Sequence, residues 1–208
     1  MSPVRLNGST SGYSELSAPA VAGNNSIALP TGNGTAYQVL RNGATAGSLE
    51  YADKIVSGTA VASTSGTSID FTSIPSWVKR ITVMFNGVST NGISVVEVRV
   101  GSGSVSASGY YAVSSYGGGA QQYLQSSTGF NLDSAGIVGA ATVRSGALVL
   151  TLIGVNTWVG TGSNAAVAQS SSLSGNSPAL SGTLDRVRIT TVNGTDTFDA
   201  GSINILYE

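Results

Sequence analysis

The sequence predicts an all-β fold: an antiparallel β-sandwich, jelly-roll-like, with an extended N-terminal β arm. Three observations favour it. Glycine occurs 28 times among the 208 residues, and glycine is unfavourable inside helices. No window places apolar residues at the i, i+3, i+4 spacing over three turns. Short runs of Val, Ile, Tyr, Phe and Thr end instead at Asn-Gly, Gly-Ser or Thr-Gly, which is typical of strands and turns.

The arm is predicted over residues 1–55. Its apolar runs are only three to five residues long, as in residues 26–30 and 37–40, and such short strands cannot close a core by themselves. We therefore expect the arm to attach the chain to its neighbours in an oligomer, with a homotrimer as the expected form. The residues predicted to make these oligomer contacts are Ile27, Leu29, Val39 and Leu40.

The sandwich domain is predicted over residues 56–208, where the strands lengthen and apolar residues alternate. The predicted core positions are Ile81, Val83, Phe85, Val96, Val98, Val100, Leu148, Leu150 and Leu152. Near the end, residues 186–191 and 198–207 are predicted to pair as a hairpin, because Asn193-Gly194 between them is a strong turn signal. Trp77 and Trp158 adjoin or lie within apolar strands, so core packing is expected for both.

Two stretches, residues 101–135 and 160–182, are rich in Ser, Gly and Asn and are predicted to be long surface loops. The first carries tyrosines and glutamines without an apolar period that would bury them. Tyr-, Ser- and Gly-rich loops are typical of adaptable binding surfaces, although a loop that packs on its own protein or on a neighbouring subunit is the simpler interpretation. The candidate receptor-binding residues are Tyr110, Tyr111, Tyr116, Gln121, Gln122, Tyr123 and Gln125.

The composition excludes several classes of partner. Only 9% of the residues are charged, with nine Lys and Arg against ten Asp and Glu, so nucleic acid and anionic membranes are not expected partners. The chain contains no cysteine, and a disulfide framework is therefore absent. No stretch approaches the roughly 20 apolar residues of a membrane helix, and the N-terminus lacks the apolar core of a signal peptide.

Catalysis is not expected. The chain has no histidine and no cysteine, so the usual nucleophilic triads and common zinc sites are unavailable. The close carboxylate pairs are Glu50 with Asp53 and Asp196 with Asp199, and carboxylates in turns commonly accept hydrogen bonds from backbone N–H groups. A calcium site at the second pair is the alternative, but the spacing fits no EF-hand loop. No cofactor or metal is predicted.

Two arginines near the C-terminus, Arg186 and Arg188, are candidates for binding an acidic partner. Two arginines on one strand face are more often paired with carboxylates there, and the aspartates of the predicted hairpin, Asp196 and Asp199, are the expected partners. The sequence therefore predicts a structural role for these charges.

Two segments resemble structural proteins of bacteriophages and prophages. The N-terminal segment, residues 6–34, resembles a sequence motif that recurs in fibres of cyanophages and other aquatic phages. Its sequence is LNGSTSGYSELSAPAVAGNNSIALPTGNG. The segments IPSWVKRITVMFNGVSTNG (74–92), NTWV (156–159) and LDRVRITTVNGTDTFDAGSINILYE (184–208) resemble the C-terminal β-domain of prophage structural proteins. This resemblance implies a place in the virion, usually as a trimer, and it carries no catalytic residues.

The resemblance leads to the hypothesis of a tail fibre or fibre tip, made in the host cytoplasm, that contacts the host surface. Its expected partners are other copies of the chain, other virion proteins through the arm, and a neutral host glycan. The alternative is a capsid decoration, collar or baseplate component that binds no receptor. A glycan-cleaving spike is a third hypothesis, which the lack of a convincing carboxylate pair disfavours.

Overall fold

The structure, a computed structural model, describes residues 4–7, 10–16, 23–24, 26–35, 38–116, 122–134, 139–166 and 169–208. Its regular elements are all β-strands, and the strands pair antiparallel within every sheet. The predicted all-β, antiparallel class is therefore confirmed. Over these residues, no helix is long and apolar enough to cross a membrane. The chain divides into two compact units, Met1–Lys54 and Ile55–Glu208.

The described residues form eighteen strands, which are short in the first unit and reach eleven residues in the second. They are β1 Val4–Asn7, β2 Tyr13–Leu16, β3 Val39–Asn42, β4 Leu49–Ala52, β5 Val56–Ser57, β6 Val61–Ala62, β7 Ser68–Thr72, β8 Arg80–Thr90, β9 Val96–Ser102, β10 Ser104–Val105, β11 Tyr111–Tyr116, β12 Gln122–Ser126, β13 Phe130–Asn131, β14 Arg144–Gly154, β15 Thr157–Ala166, β16 Gln169–Asn176, β17 Arg186–Thr191 and β18 Phe198–Tyr207.

The described strands of the first unit form two hairpins, β1–β2 and β3–β4, and Ala28 bridges to Ser48 just before β4. Each hairpin carries an ion pair across its strands, Arg5 with Glu15 at 2.8 Å and Arg41 with Glu50 at 3.0 Å. None of its described residues is buried. Ile27, Leu29 and Leu40 are exposed and Val39 is half-buried, so the described part of this unit has no hydrophobic core of its own.

The second unit contains two antiparallel sheets that contribute side chains to one hydrophobic core. The smaller sheet has the order β10-β9-β17-β7, with β13 paired to β9. The larger has the order β12-β11-β16-β15-β14-β8-β18-β5, with β6 paired to β18. The predicted alternation is confirmed at eight of nine positions, which are buried, while Leu152 is partly buried against the core.

Two neighbouring strands of the larger sheet, β8 and β18, are each interrupted by a glycine with positive φ. Gly87 has φ 66° and Gly201 has φ 91°, a region that side-chain-bearing residues rarely adopt. The pairing between the strands shifts on either side of Ala200, and a Cβ added at Gly201 would lie 2.4 Å from the Gly87 carbonyl oxygen. Glycine is required here because the two backbones approach too closely for a side chain.

The predicted C-terminal hairpin is wrong. Strand β17 pairs with β7 and β9 in the smaller sheet, whereas β18 pairs with β8, β5 and β6 in the larger. The turn at Asn193-Gly194 does form, with a Gly194 N–H···O=C Thr191 bond of 3.0 Å. It joins two sheets instead of two paired strands, because both strands have apolar inner faces that are buried in the shared core.

The predicted surface loops are also largely strands. Residues 160–182 contain most of β15 and all of β16, which pair with each other and with β14 and β11. Residues 101–135 contain β10, β11, β12 and β13. Trp158 is buried as expected, but Trp77 is 42% exposed and packs on Tyr207, with ring centroids 5.8 Å apart. The prediction of core packing is therefore wrong for Trp77.

Candidate functional site

The candidate site lies on the β11–β12 hairpin at one edge of the larger sheet. Among the described strands, β12 pairs with β11 alone, in a register that runs from Ala112 opposite Ser126 to Tyr116 opposite Gln122. Strand β11 is held on its other side by β16. Because side chains alternate between the two faces of a strand, this register decides which predicted receptor-binding residues can act together.

Three of the predicted residues share the outward face of the sheet. Tyr111 is 71% exposed and Tyr123 68% exposed, and Gln125 is also exposed. Gln125 lies opposite Val113 and Tyr123 opposite Ser115. Gln125 is therefore a diagonal neighbour of Tyr111, and Tyr123 follows two residues away along β12, each at a spacing of roughly 7 Å. A row of this kind presents two aromatic rings with an amide between them.

Two further predicted residues belong to the opposite face. Tyr116 and Gln122 are paired across the hairpin and share the parity of Ala112 and Ser114, which are buried. Their side chains therefore cannot join the row on the outward face. Gln121 lies outside the described residues.

Tyr110 was predicted to bind a receptor, but its side chain is 4% exposed and belongs to the core. It is therefore removed from the candidate site. Its hydroxyl accepts a 2.8 Å hydrogen bond from the Val100 N–H and lies within donating distance of the Ser106 and Val100 carbonyls. Its ring meets Phe130 edge to face, with centroids 5.5 Å apart. Burial raises the pKa of Tyr110 to about 12. The ring therefore has almost no exposed surface that a ligand could contact.

The outward row continues into a broad surface on the neighbouring strands. We call the outward faces of β12, β11, β16, β15 and β14 the hydroxyl face; its strands span about 19 Å at 4.8 Å per strand. Their register aligns Ser and Thr side chains across the sheet. Its outward residues besides the row are Val113, Ser115, Ser145, Ala147, Val149, Thr151, Thr157, Val159, Thr161, Ser163, Ala165, Ser170, Ser172, Ser174 and Asn176.

The hydroxyl face carries no acidic or basic side chain at any of these outward positions. Hydroxyl and amide groups donate and accept hydrogen bonds equally well, and exposed aromatic rings provide a flat apolar surface. Such a surface suits a neutral ligand that has many hydroxyl groups. Sequence reasoning missed most of this surface because it interpreted β15 and β16 as a loop, although Ser170, Ser172 and Ser174 alternate with period two.

Beneath the hydroxyl face lies a segment, residues 130–134, that runs between the two sheets. Phe130 occupies the space above Gly160, where an added Cβ would lie 2.7 Å from the ring. Ser171 donates a 2.7 Å hydrogen bond to the Leu132 carbonyl, and Ser114 donates to the Asp133 carbonyl. These contacts fix the inner side of the sheet, so the outward row is presented by a rigid support.

Asp133 also forms an ion pair with Arg144 at 2.7 Å, with both side chains fully buried. Arg144 donates a second bond, 2.8 Å long, to the Thr142 carbonyl, and Asp133 accepts one from the Val96 N–H. Near it, Glu97 is fully buried and accepts bonds from Arg99 and Thr128. Buried charges require such partners, so these groups serve the structure and not a ligand.

The remaining charged candidates are occupied in structural contacts. Arg188 forms two bonds of 2.7 and 2.8 Å with Asp70, and Arg186 two of 2.7 and 3.0 Å with Asp185. The hydrogen bond from Arg186 is the main cause that lowers the pKa of Asp185 below its usual value. Pairing with carboxylates was predicted, but the expected partners, Asp196 and Asp199, were wrong, because β17 and β18 belong to different sheets.

Of the two aspartates, Asp196 accepts from a backbone N–H as predicted, whereas Asp199 lies within β18 and accepts from a side-chain hydroxyl. Asp196 accepts 2.8 Å from the Ser94 N–H and 2.6 Å from the Asn193 side-chain amide. Asp199 accepts a hydrogen bond from the Ser89 hydroxyl. The chain has no histidine and no cysteine, so Asp and Glu are its remaining candidates for such a metal site. Within the described ranges, no group of three Asp or Glu side chains could hold a metal ion.

Comparisons with known proteins give no relative from which a role could be transferred. No protein-family model, no curated protein and no solved structure matches the chain. The function must therefore be argued from the surfaces described above.

Proposed function

We propose that this chain is a structural protein of a bacteriophage virion, a tail fibre or fibre tip, that binds a neutral glycan of the host surface through the hydroxyl face. The observation that carries the proposal is the row of Tyr111, Gln125 and Tyr123 on a rigid, uncharged sheet face. Protein surfaces that bind neutral sugars need flat aromatic area and amides or hydroxyls, and the row offers both.

The proposal includes an oligomer, with a trimer as the expected form and a jelly-roll-like arrangement of the sandwich. The described residues of the first unit are all at least partly exposed, and they include the apolar side chains of Ile27, Leu29 and Leu40. Other copies of the chain would bury these side chains, while other virion proteins would hold the arm in the particle. Several copies of a weak glycan site then gain strength by multivalency.

The test replaces Tyr111 and Tyr123 together by Ser in the intact oligomer and measures adsorption of the purified protein to host cells. We expect at least a tenfold loss of adsorption, because both exposed rings of the row are removed. The control is Val155→Ser, at an exposed position in the β14–β15 turn, which should adsorb like the unmodified protein. Unchanged adsorption of the double variant, with its circular dichroism spectrum intact, would contradict the proposal.

The second candidate is a capsid decoration, collar or baseplate component without receptor binding. It is favoured by the exposed apolar residues of the first unit, since contacts with other particle proteins would also cover them. Immunogold labelling of the particle discriminates the two, because a fibre tip must be labelled at the distal end of the tail. Neither candidate includes catalysis.

A further inference from the structure

A pocket of about 450 Å³ lies at the end of the edge strand β12, within the roughly 300–1,000 Å³ typical of small-molecule sites. Residues 124–128 form one wall, residues 93–95 and Val192 form the other, and Asn131 completes the lining. It adjoins the outward row, because Gln125 lines both this pocket and a smaller one of about 240 Å³ that contains Tyr111. The two pockets therefore meet at Gln125, at the edge of the larger sheet.

The lining offers no ion-pair partner to a charged ligand and favours a ligand with an apolar group. No acidic or basic side chain lines the pocket. Ile93 is 75% exposed, Val192 is also exposed, and Leu124 is partly so. These three aliphatic side chains form a small apolar surface of the size of a methyl or similar group.

Asn131 supplies the polar feature of the pocket. Its side chain is 2% exposed, yet its carboxamide oxygen has no hydrogen-bond partner. Other polar groups of the lining are engaged: the Thr128 hydroxyl donates to Glu97 at 2.8 Å, and the Ser126 hydroxyl oxygen accepts from the Thr128 and Gly129 N–H groups. A buried acceptor without a donor is unfavourable, and in native proteins such an acceptor usually has a partner in a water or a ligand.

We propose that this pocket binds the acetamido group of an N-acetylated sugar. The Asn131 carboxamide, whose oxygen has under 1 Å² of accessible surface, turns toward the pocket to accept a hydrogen bond from the amide N–H. The methyl group packs against Ile93, Val192 and Leu124, and the sugar ring lies beside Gln125. The inference rests on the proposed glycan-binding function and deepens it, since it names the sugar class. A sugar with only hydroxyl groups would leave the aliphatic side chains uncovered.

The first test is saturation-transfer NMR on the intact protein with the methyl glycosides of N-acetylglucosamine and N-acetylgalactosamine. The matched probes are methyl glucoside and methyl galactoside, which lack the acetamido group. We expect the acetyl methyl protons of one N-acetylated sugar to receive the strongest saturation, and the matched hydroxyl sugar to bind at least tenfold more weakly. Equal binding of the two, or binding of neither N-acetylated sugar, would overturn the inference.

The second test is Ile93→Asp, which places a carboxylate in the pocket at a position exposed enough to leave the fold intact. It should abolish N-acetyl sugar binding, whereas Ile153→Asp, at a similarly exposed position outside the pocket, should not. Unchanged binding in Ile93→Asp would contradict the inference. N-acetylalanine methylamide tests whether the pocket binds a peptide, since it carries an acetamido group but no sugar. If it binds as strongly as the N-acetylated sugar, the inferred ligand is a peptide and the sugar inference is wrong.

The two proposals fail in distinguishable ways. If the double tyrosine variant loses adsorption but no N-acetylated sugar binds, the pocket inference is wrong and the glycan-binding face remains. If an N-acetylated sugar binds in the pocket while adsorption is unchanged in both the tyrosine variant and Ile93→Asp, the pocket is real and the proposed host contact is wrong.

Discussion

Single residues in the candidate site show where local sequence is informative and where it is not. The two adjacent tyrosines, Tyr110 and Tyr111, look alike in the sequence but differ completely in the structure, since one is in the core and the other is exposed. What separates them is the bond from the Val100 N–H and the ring of Phe130, both contributed by distant parts of the chain. Neither contact leaves a signal in the sequence around Tyr110.

The hydroxyl of Tyr110 should make stability depend on pH in the alkaline range. Its pKa is about 12 in the folded chain, against the ordinary tyrosine value of 10.0, so the folded state favours the neutral hydroxyl. The resulting stabilisation is complete below about pH 10 and is lost as the pH rises toward 12, with a total on the order of a few kcal/mol. Urea unfolding at pH 8 and pH 11.5 measures this loss.

The variant Tyr110→Phe provides the control for that titration. At pH 8 it should be less stable by about 1–3 kcal/mol, because the Val100 N–H loses its acceptor in the core. At pH 11.5 its deficit relative to the unmodified protein should be smaller, because Phe has no proton to lose. An equal deficit at both pH values would show that Tyr110 does not contribute to the alkaline loss.

At the scale of strands, alternating hydrophobicity predicted a strand reliably only where one face of the strand is apolar and the other is polar. It located β8, β9 and β14, where large aliphatic side chains point inward. It failed for β15 and β16, because the inward positions of β15 include Gly160, Gly162 and Asn164, and those of β16 include Ser171. Small residues are needed at Gly160 and Ser171 because Phe130 and Leu132 lie against them, and at Gly162 because the backbone of β14 approaches closely.

The ion pair that anchors this segment should be important for folding. Asp133→Asn removes one charge and leaves Arg144 buried without its counter-charge, so we expect a loss of about 3–5 kcal/mol. The matched control is Asp70→Asn, which breaks the partly exposed pair with Arg188 and should cost about 0.2–1 kcal/mol. Urea denaturation of both variants gives the comparison, and similar losses would mean that the buried pair has no special role.

At the scale of the whole chain, the sequence could not reveal the arrangement of the sheets. The boundary between the arm and the sandwich domain was predicted near residue 55, and the structure divides the chain after Lys54. The distribution of strands between the two sheets was not predictable, because β17 and β18 flank a hairpin-type turn yet belong to different sheets. Burial of both inner faces in one core determined that arrangement.

The exposed apolar residues of the first unit lead to a prediction about assembly. Deletion of residues 1–53 should weaken the oligomer by at least tenfold in concentration, because the proposed contacts through Ile27, Leu29, Val39 and Leu40 are removed. The remaining chain should stay folded, since every residue of the hydrophobic core lies beyond residue 54. Light scattering and circular dichroism measure the two properties. An oligomer of unchanged strength after deletion would exclude the arm as the contact.

The absence of acidic and basic side chains from the outward positions of the hydroxyl face has a consequence for the conditions under which it can work. Attraction between charged surfaces is screened by dissolved ions, with a Debye length of about 30 Å at 0.01 M and 3 Å at 1 M ionic strength. A contact made by tyrosine rings, amides and hydroxyls has no contribution from attraction between charges. Adsorption should therefore change less than about twofold between 0.01 and 1 M sodium chloride, so that one binding surface would serve equally in dilute and in saline water.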